Sequence, residues 1–292
     1  MKSDGYSIKD LEVLSGIKAH TIRIWEKRYN LLKPERTGTN IRLYSDEDLR
    51  KILNVSLLVN NGFKISKVAK LSADEIKDRV LSVTEGKNTG SDYIDRLVLM
   101  MLNFDDVGIN RLASKVIEDF GVEDAVTKVF FGVFQRIGTY WQVGSIFPAQ
   151  EHCLTNIIRQ RLIIEIDKLE PEQQNGMTIL FFLPDNEMHE MSLLFYSYMA
   201  KKTGYHVVYL GQFVPLDDLQ KIQLHLKIDY VFSAFINAIS KEDLENYLHK
   251  MKNIFLHQKI FVTGHQFQVH NPEIPRNVKV VKDYKEFMKY LS

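Results

Sequence analysis

The sequence predicts a multidomain protein of mixed α and α/β class: an N-terminal winged helix-turn-helix, a central four-helix bundle and a C-terminal doubly wound, Rossmann-like parallel sheet. Apolar residues recur at helical spacing up to about residue 170. From residue 177 onward, about five short apolar runs rich in branched and aromatic residues alternate with helical segments. The length of 292 residues also exceeds what one hydrophobic core usually fills.

Polar stretches that contain glycine divide the chain. Residues 85–91 (EGKNTGS) and 170–176 (EPEQQNG) have the composition of linkers or interdomain breaks. We therefore expect a first domain over residues 1–75, a linker over 76–91, a helical domain over 92–170 and an α/β domain over 176–292.

The composition indicates an ordinary globular protein, with 45% hydrophobic and 26% charged residues. The single cysteine, Cys153, excludes an internal disulfide and favours a reducing, cytoplasmic setting. It also excludes zinc sites built from several thiolates. The first residues lack an apolar signal region, and no apolar stretch approaches the roughly 18 residues of a membrane span. We therefore expect no membrane partner.

Local signals define the elements of the first domain. Ser7 is placed to cap a first helix, and Gly16 suits the sharp turn after it. A second helix is predicted over residues 18–28, followed by a small two-stranded wing within residues 31–44. Ser45, followed by acidic residues, marks the start of a further helix.

Basic side chains occupy neighbouring turns of the second helix and both sides of the wing. A basic helix can enter the major groove of DNA, where guanidinium groups contact phosphates or guanine edges. Such a helix is more often a solvated surface, but the order helix, turn, basic helix and wing favours double-stranded DNA as partner. The residues expected at the DNA are Arg23, Lys27, Arg28, Tyr29, Arg36 and Arg42. Trp25 and Tyr29 are expected to serve mainly in packing.

This segment resembles the MerR family of transcription regulators. The matching residues are Trp25, Arg28-Tyr29, Leu32, Pro34, Arg36 and Arg42-Leu43-Tyr44, and the match covers about the first 70 residues. The resemblance implies a homo-oligomer, dimer or tetramer, that binds an inverted-repeat operator. Typical members continue with one long dimerising helix and a small effector loop. This chain has neither, so we expect no thiol-based metal sensing of their kind.

A possible ligand site lies further along the chain. His189 follows the first apolar run of the α/β domain, where open sheets bind ligands beyond the carboxyl ends of their strands. Neutral imidazole is a good metal ligand, and Glu187 is placed to hold its second nitrogen. Nine residues separate Trp141 from Glu151-His152 on the predicted bundle. Each residue alone is more often an ordinary core or surface residue, and only their joint occurrence favours a site.

These residues resemble the cobalamin-binding modules of methionine synthase and of the light-sensing MerR repressors of the CarH type. The family signature Asp/Glu-x-His-x-x-Gly appears as Glu187-Met188-His189-Glu190-Met191-Ser192. The resemblance implies cobalamin as cofactor, with adenosylcobalamin favoured and His189 as the lower axial cobalt ligand. It also implies an upper cap formed by Trp141, Glu151 and His152, and a tail pocket that includes Ser192, Ser233 and Gly264.

The sequence departs from the family pattern at four positions. Ser192 replaces a glycine, which its small side chain makes tolerable, and Phe235 replaces the leucine of a Ser-x-Leu element. Thr263 replaces the first glycine of a Gly-Gly pair and brings a branched side chain to the tail pocket. Gln142 stands where light-sensing members carry a second histidine, so a two-histidine photoproduct is not expected.

Three hypotheses follow. The first is a transcriptional repressor whose operator binding is controlled by a cobalamin, plausibly together with light. The second is a cobalamin-independent regulator that uses the same fold for protein interaction or oligomerisation. The third is an enzyme-associated methyl carrier, which we disfavour because the chain devotes its remaining length to a DNA reader. We therefore expect no enzymatic activity.

Overall fold

The computed structural model describes residues 5–38, 40–82, 89–142, 144–170 and 175–291. It divides into two compact units, Met1–Ile158 and Arg159–Ser292, and each is described separately below. Part of the predicted linker, residues 76–82, continues a helix, and residues 83–88 lie outside the described residues. The four domain limits stay predictions. No helix in the described ranges is long and apolar enough to cross a membrane.

The chain begins with a winged helix-turn-helix. Its elements are α1 (Ile8–Ser15), α2 (Ala19–Tyr29), β1 (Glu35–Arg36), β2 (Arg42–Leu43), α3 (Asp46–Asn60), α4 (Ile65–Val68) and α5 (Ala73–Ser82). Ser7 and Ser45 each cap a helix through a reciprocal capping box, as predicted. Gly16 ends α1 with a φ of 73°, a left-handed conformation that favours glycine. The antiparallel pairing of β1 with β2 confirms the wing.

A helical bundle follows in the same unit. Its helices are α6 (Gly90–Leu102), α7 (Asp106–Asp124), α8 (Phe131–Gln142) and α9 (Pro148–Asp167), the last of which continues into the second unit. Four apolar residues at this helical spacing are buried: Leu97, Val126, Val129 and Val133. Their burial confirms the helical spacing as the signal of this core.

Two features of the bundle differ from the expected regular helices. Gly121 interrupts α7 with φ 73° and ψ 162°, and a π-helix, Ala125–Phe130, connects α7 to α8. The helical apolar spacing of this region also includes Phe104, which lies outside a helix. The helix ends at Leu102, and Phe104 adopts a φ of 52° and is 45% exposed. The spacing of apolar residues continues past the end of the helix, whereas the helical backbone conformation does not.

The second unit contains a five-stranded parallel sheet. Its strands are β3 (Thr178–Phe182), β4 (His206–Gly211), β5 (Tyr230–Ala234), β6 (Lys259–Thr263) and β7 (Val278–Val280). The helices are α10 (Met191–Lys202), α11 (Leu216–Ile222), α12 (Lys241–Ile254), α13 (Gln266–His270) and α14 (Tyr284–Leu291). The strand order β4-β3-β5-β6-β7 confirms the doubly wound topology and places its switch point between β3 and β5.

Apolar side chains cover both faces of this sheet. On one face, Leu180 and Val231 pack in a cluster with Leu244 of α12. On the other, Phe232 stacks on Tyr196 of α10, with ring centroids 4.5 Å apart. Burial on both faces explains why these strands read as continuous apolar runs. The same packing holds β3 and β5 in place, and the candidate site is built from the loops that follow these two strands.

Candidate cofactor site and candidate DNA interface

The loop that joins β3 to α10 carries His189 at the carboxyl edge of the sheet; residues 183–190 are called the His189 loop below. The Nδ1 atom of His189 lies 2.7 Å from Oε1 of Glu187, which also accepts the backbone N–H of His189 at 2.9 Å. Glu187 is buried, whereas the side chain of His189 is 46% exposed. Because a carboxylate only accepts, it favours a proton on Nδ1 and leaves Nε2 as the nitrogen suited to a metal.

The second carboxylate oxygen of Glu187 connects the two strands at the switch point, because it bonds to the segment that follows β5. Its Oε2 accepts backbone N–H groups from Ile236 at 2.6 Å and from Asn237 at 2.7 Å, both just after β5. Burial raises the pKa of Glu187, but the hydrogen bonds from His189 and these backbone groups outweigh burial and lower the pKa overall. Glu187 is therefore held as an anion that orients His189.

Two further contacts hold the backbone of the same loop. Asn237 donates its side-chain N–H to the carbonyl of Asn186, and Gln212, which follows β4, donates to the carbonyl of Met188. The loop is thus bonded to the segments after both strands that flank β3. Sequence spacing predicted none of these contacts, because their partners lie far apart along the chain.

Buried hydroxyls and one glycine test whether this edge suits the polar tail of a cobalamin. Within the described ranges, the hydroxyl oxygens of Ser192 and Ser233 are buried and have no hydrogen-bond partner. A buried, unsatisfied hydroxyl is costly, so an added polar ligand would satisfy it. Gly264 has a φ of 129°, and a Cβ there would lie 2.0 Å from the carbonyl oxygen of Phe235. The two unpaired hydroxyls fit such a group, whereas the glycine at position 264 is required by the backbone of Phe235.

Two of the predicted departures have definite surroundings. Phe235 is buried and packs edge-on against Tyr247 and Phe267, with centroid distances of 5.5 and 5.6 Å. Thr263 donates its hydroxyl to the carbonyl of Val281 at 2.9 Å. Both side chains are therefore integrated into the protein core around the end of β6.

Three residues of the first unit, Trp141, Glu151 and His152, are called the cap residues below. Trp141 is the penultimate residue of α8 and is 40% exposed, so it is not a core aromatic. Glu151 is half-buried in the first turn of α9, and His152, the next residue, is exposed. The side chain of Gln142 lies outside the described residues. The cap residues belong to the first unit and His189 to the second, where the structure brings it together with Glu187.

The second helix presents a basic, exposed face. Arg23, Lys27 and Arg28 are exposed, whereas Ile22 and Trp25 are buried. The packing role predicted for Trp25 is therefore confirmed. Tyr29 is half-buried, and the guanidinium of Arg28 lies 5.4 Å from the centroid of its ring. Helix α2 thus keeps its basic side chains available on the side opposite the core.

One predicted DNA contact has a partner inside the fold. The Nε atom of Arg42 on β2 lies 3.0 Å from Oε1 of Glu26 on α2, and Tyr44 donates its hydroxyl to Oε2 at 3.0 Å. The hydrogen bond to Glu26 raises the pKa of Arg42. Arg36 stays exposed and donates to Asn40 at 2.6 Å. Arg42 therefore holds the wing against α2, a role that the sequence did not reveal.

Two family models match the winged helix-turn-helix and the helical bundle of this chain. Residues 6–75 match the family model of the MerR HTH family regulatory protein, and residues 93–164 match that of the B12 binding domain. The chain therefore combines a MerR-type helix-turn-helix with a B12-binding domain, which confirms the resemblance predicted from the sequence.

Individual relatives extend this result over most of the chain. The HTH-type transcriptional repressor CarH of Myxococcus xanthus is 27% identical over 254 residues, which is 85% of this chain and 84% of that protein. The repressor CarA of the same organism is 26% identical over 248 residues, which is 82% of this chain and 80% of that protein. The chain is homologous to both repressors.

A solved structure supports the fold alone. The monomethylamine corrinoid protein of Methanosarcina barkeri aligns with a TM-score of 0.52 and 16% identity, covering 70% of this chain and 98% of that protein. This likeness confirms the predicted combination of a helical region with a parallel α/β sheet.

Proposed function

We propose that this protein is a transcriptional repressor whose binding to operator DNA is controlled by adenosylcobalamin. The observation that carries the proposal is the Glu187–His189 pair. It presents an exposed imidazole at the switch point of the sheet and holds Nδ1 at 2.7 Å from a buried carboxylate. Homology to two MerR-type repressors supports the regulatory half of the proposal.

Each predicted site residue has a role in this proposal. His189 would bind the cobalt of the cofactor, and Glu187 would set its tautomer and basicity. The hydroxyls of Ser192 and Ser233 and the backbone at Gly264 would contact the nucleotide tail, and the cap residues would cover the upper face. When bound, adenosylcobalamin would supply a cobalt–carbon bond that light can cleave.

Control of DNA binding would follow from linkage. A cofactor that binds one arrangement of the chain more tightly shifts the population towards that arrangement by its difference in affinity. We propose that this arrangement is a homo-oligomer, dimer or tetramer, that presents Arg23, Lys27, Arg28 and Arg36 to operator DNA. Arg42 would support the wing, and Tyr29 would pack beneath Arg28.

A second candidate function is regulation without a cofactor. Its support is the packing of Phe235 against Tyr247 and Phe267 and the internal hydrogen bond of Thr263, which together fill space near the end of β6. In this alternative, the α/β domain would serve as an interaction module.

An absorption experiment separates the two candidates. The full-length protein is mixed with adenosylcobalamin in darkness, freed of unbound cofactor and measured before and after green light. We expect retention of the cofactor and a histidine-ligated spectrum that the variant His189→Ala loses. The control His257→Ala removes an exposed histidine before β6 and should keep that spectrum. Failure of the wild type to retain cobalamin would reject the first candidate and favour the second.

A further inference from the structure

A second buried carboxylate directly follows His189. Glu190 is only 5% exposed; Tyr209 of β4 donates its hydroxyl to Oε1 at 2.8 Å, and Nε of Arg159 on α9 lies 2.5 Å from Oε2. These three side chains are called the Glu190 cluster below. Burial and the charge of Glu190 raise the pKa of Tyr209, and the hydrogen bond to Glu190 raises the pKa of Arg159. The cluster is therefore a neutral tyrosine and an arginine bonded to one carboxylate.

The end of α9 lies against this domain without close packing. A cavity of about 780 Å³ is lined by Ile163 and Ile166 of α9, by Leu194 of α10 and by Val207 of β4. This cavity is partly open to solvent, so the side chains of α9 that line it are incompletely packed. Polar contacts connect α9 to the domain at this cavity. Besides the Glu190 cluster, Lys201 donates its ammonium to the carbonyl of Ile166 at 2.8 Å.

We propose that the Glu190 cluster is the mechanical link between the His189 loop and α9, so that cobalt coordination at His189 restrains α9. This inference rests on the proposed function for its ligand. Glu190 and His189 are adjacent in the chain, and Glu187 holds His189 from the opposite side. Coordination of a metal by His189 would therefore restrain the backbone that also carries Glu190.

The chemistry of the cluster explains why the link transmits this restraint. Removing the cationic partner of a buried carboxylate strongly destabilises the folded protein. Glu190 and Arg159 therefore stay bonded to each other, which connects the His189 loop to α9. Arg159 lies seven residues, or about two helical turns, after His152 in the continuous helix α9. The helix that responds to Glu190 thus also carries two of the cap residues.

Amide hydrogen exchange of residues 160–167 in the full-length protein tests the link. In the wild type, saturating adenosylcobalamin in darkness should slow exchange there by about tenfold, a typical size for coupling between sites. Arg159→Ala should retain cobalamin and its histidine-ligated spectrum but lose this slowing. The double variant Arg159→Gln with Glu190→Gln leaves no unpaired buried charge. It should also retain cobalamin and lose the slowing of exchange. Lys168→Ala, which removes an exposed cation just after α9, should respond as the wild type does.

Two results would overturn the inference. One is full cofactor-dependent slowing in both Arg159 variants, and the other is loss of cobalamin by both, which would place Arg159 in the binding site itself. The cofactor-free protein supplies an independent measurement, because Arg159→Ala should speed exchange in residues 160–167 while Lys168→Ala should not. If the wild type retained no cobalamin, the proposed function would fail. The cofactor-free comparison would still report whether the cluster holds α9.

Discussion

Two glutamate–histidine pairs in this molecule are built in opposite ways. In the His189 loop, Glu187 is buried, bonded to His189 at 2.7 Å and bonded to two backbone N–H groups from another strand. In α9, Glu151 and His152 are adjacent residues of a helix, which point in different directions, and His152 is exposed. The first pair is organised before any ligand arrives. The second pair is arranged only by the geometry of its helix.

The largest expected effect comes from breaking the organised pair. Glu187→Gln removes the anion that His189, Ile236 and Asn237 share and leaves an amide N–H₂ facing backbone donors. Unsatisfied buried groups cost about 1–3 kcal/mol each, so the free energy of unfolding should fall by roughly 2–3 kcal/mol. Cobalamin affinity should fall by about 10- to 100-fold, as for other partners of metal-binding histidines.

Denaturant unfolding without cofactor and spectroscopic titration with cobalamin measure these two effects. Asp185→Asn is the matched control, because it neutralises an exposed carboxylate of the same loop. Unchanged stability and affinity in Glu187→Gln would show that the buried bonds do not organise His189.

The pH dependence of stability sharpens the same comparison. The pKa of Glu187 is lower in the folded chain than its ordinary value of 4.5. Its ionised form therefore stabilises the fold above about pH 4.5, and this contribution is lost as the pH falls through the folded pKa. The wild type should lose more unfolding free energy between pH 6 and about pH 3 than Glu187→Gln does. Equal losses would mean that Glu187 is not preferentially ionised in the native state.

The difference between the pairs also marks what the sequence could predict. Capping serines, strand runs and the neighbourhood of Glu187 and His189 follow from short-range patterns, which one chain displays directly. The bonds of Glu187 to Ile236 and Asn237 join residues 49 and 50 positions apart, and no local pattern encodes them. The sequence placed Glu190 only within the Asp/Glu-x-His-x-x-Gly signature. Its partners Tyr209 and Arg159 lie 19 and 31 positions away, so no local pattern predicts its contacts.

Backbone irregularities were the other limit on prediction. Gly121 sits in an apolar pattern that continues through it, so nothing in the periodicity announces its φ of 73° or the π-helix that follows. Phe104 shows the reverse case, in which a correctly spaced aromatic lies beyond the helix end. Periodicity reports which side chains favour burial, whereas helix continuity depends on backbone bonds that many sequences satisfy.

The exposed pair should show a smaller and more selective effect. His152→Ala removes an exposed side chain, so the free energy of unfolding without cofactor should change by less than about 0.5 kcal/mol. If His152 contacts the adenosyl group, affinity for adenosylcobalamin should fall by up to about tenfold, the value of one hydrogen bond. Affinity for methylcobalamin should stay unchanged.

Parallel titrations with the two cobalamins measure this selectivity, and Asn156→Ala, one helical turn later on α9, serves as the control. An equal loss for both cobalamins would remove His152 from the upper face.

The smallest effects are expected in the winged helix. There, too, one side chain is bonded within the fold and another is exposed. Arg42 is bonded to Glu26 at 3.0 Å, whereas Arg23 is exposed on α2. Arg23→Ala should leave stability unchanged and, if Arg23 neutralises one phosphate, reduce the slope of log affinity against log salt by about 0.9. Arg42→Ala should instead destabilise the domain, because Glu26 loses its charged partner and keeps the neutral hydroxyl of Tyr44. Binding to DNA selected from a random library, measured at several salt concentrations, distinguishes the two variants. If Arg42→Ala altered the salt slope at unchanged stability, Arg42 would be assigned to DNA contact instead.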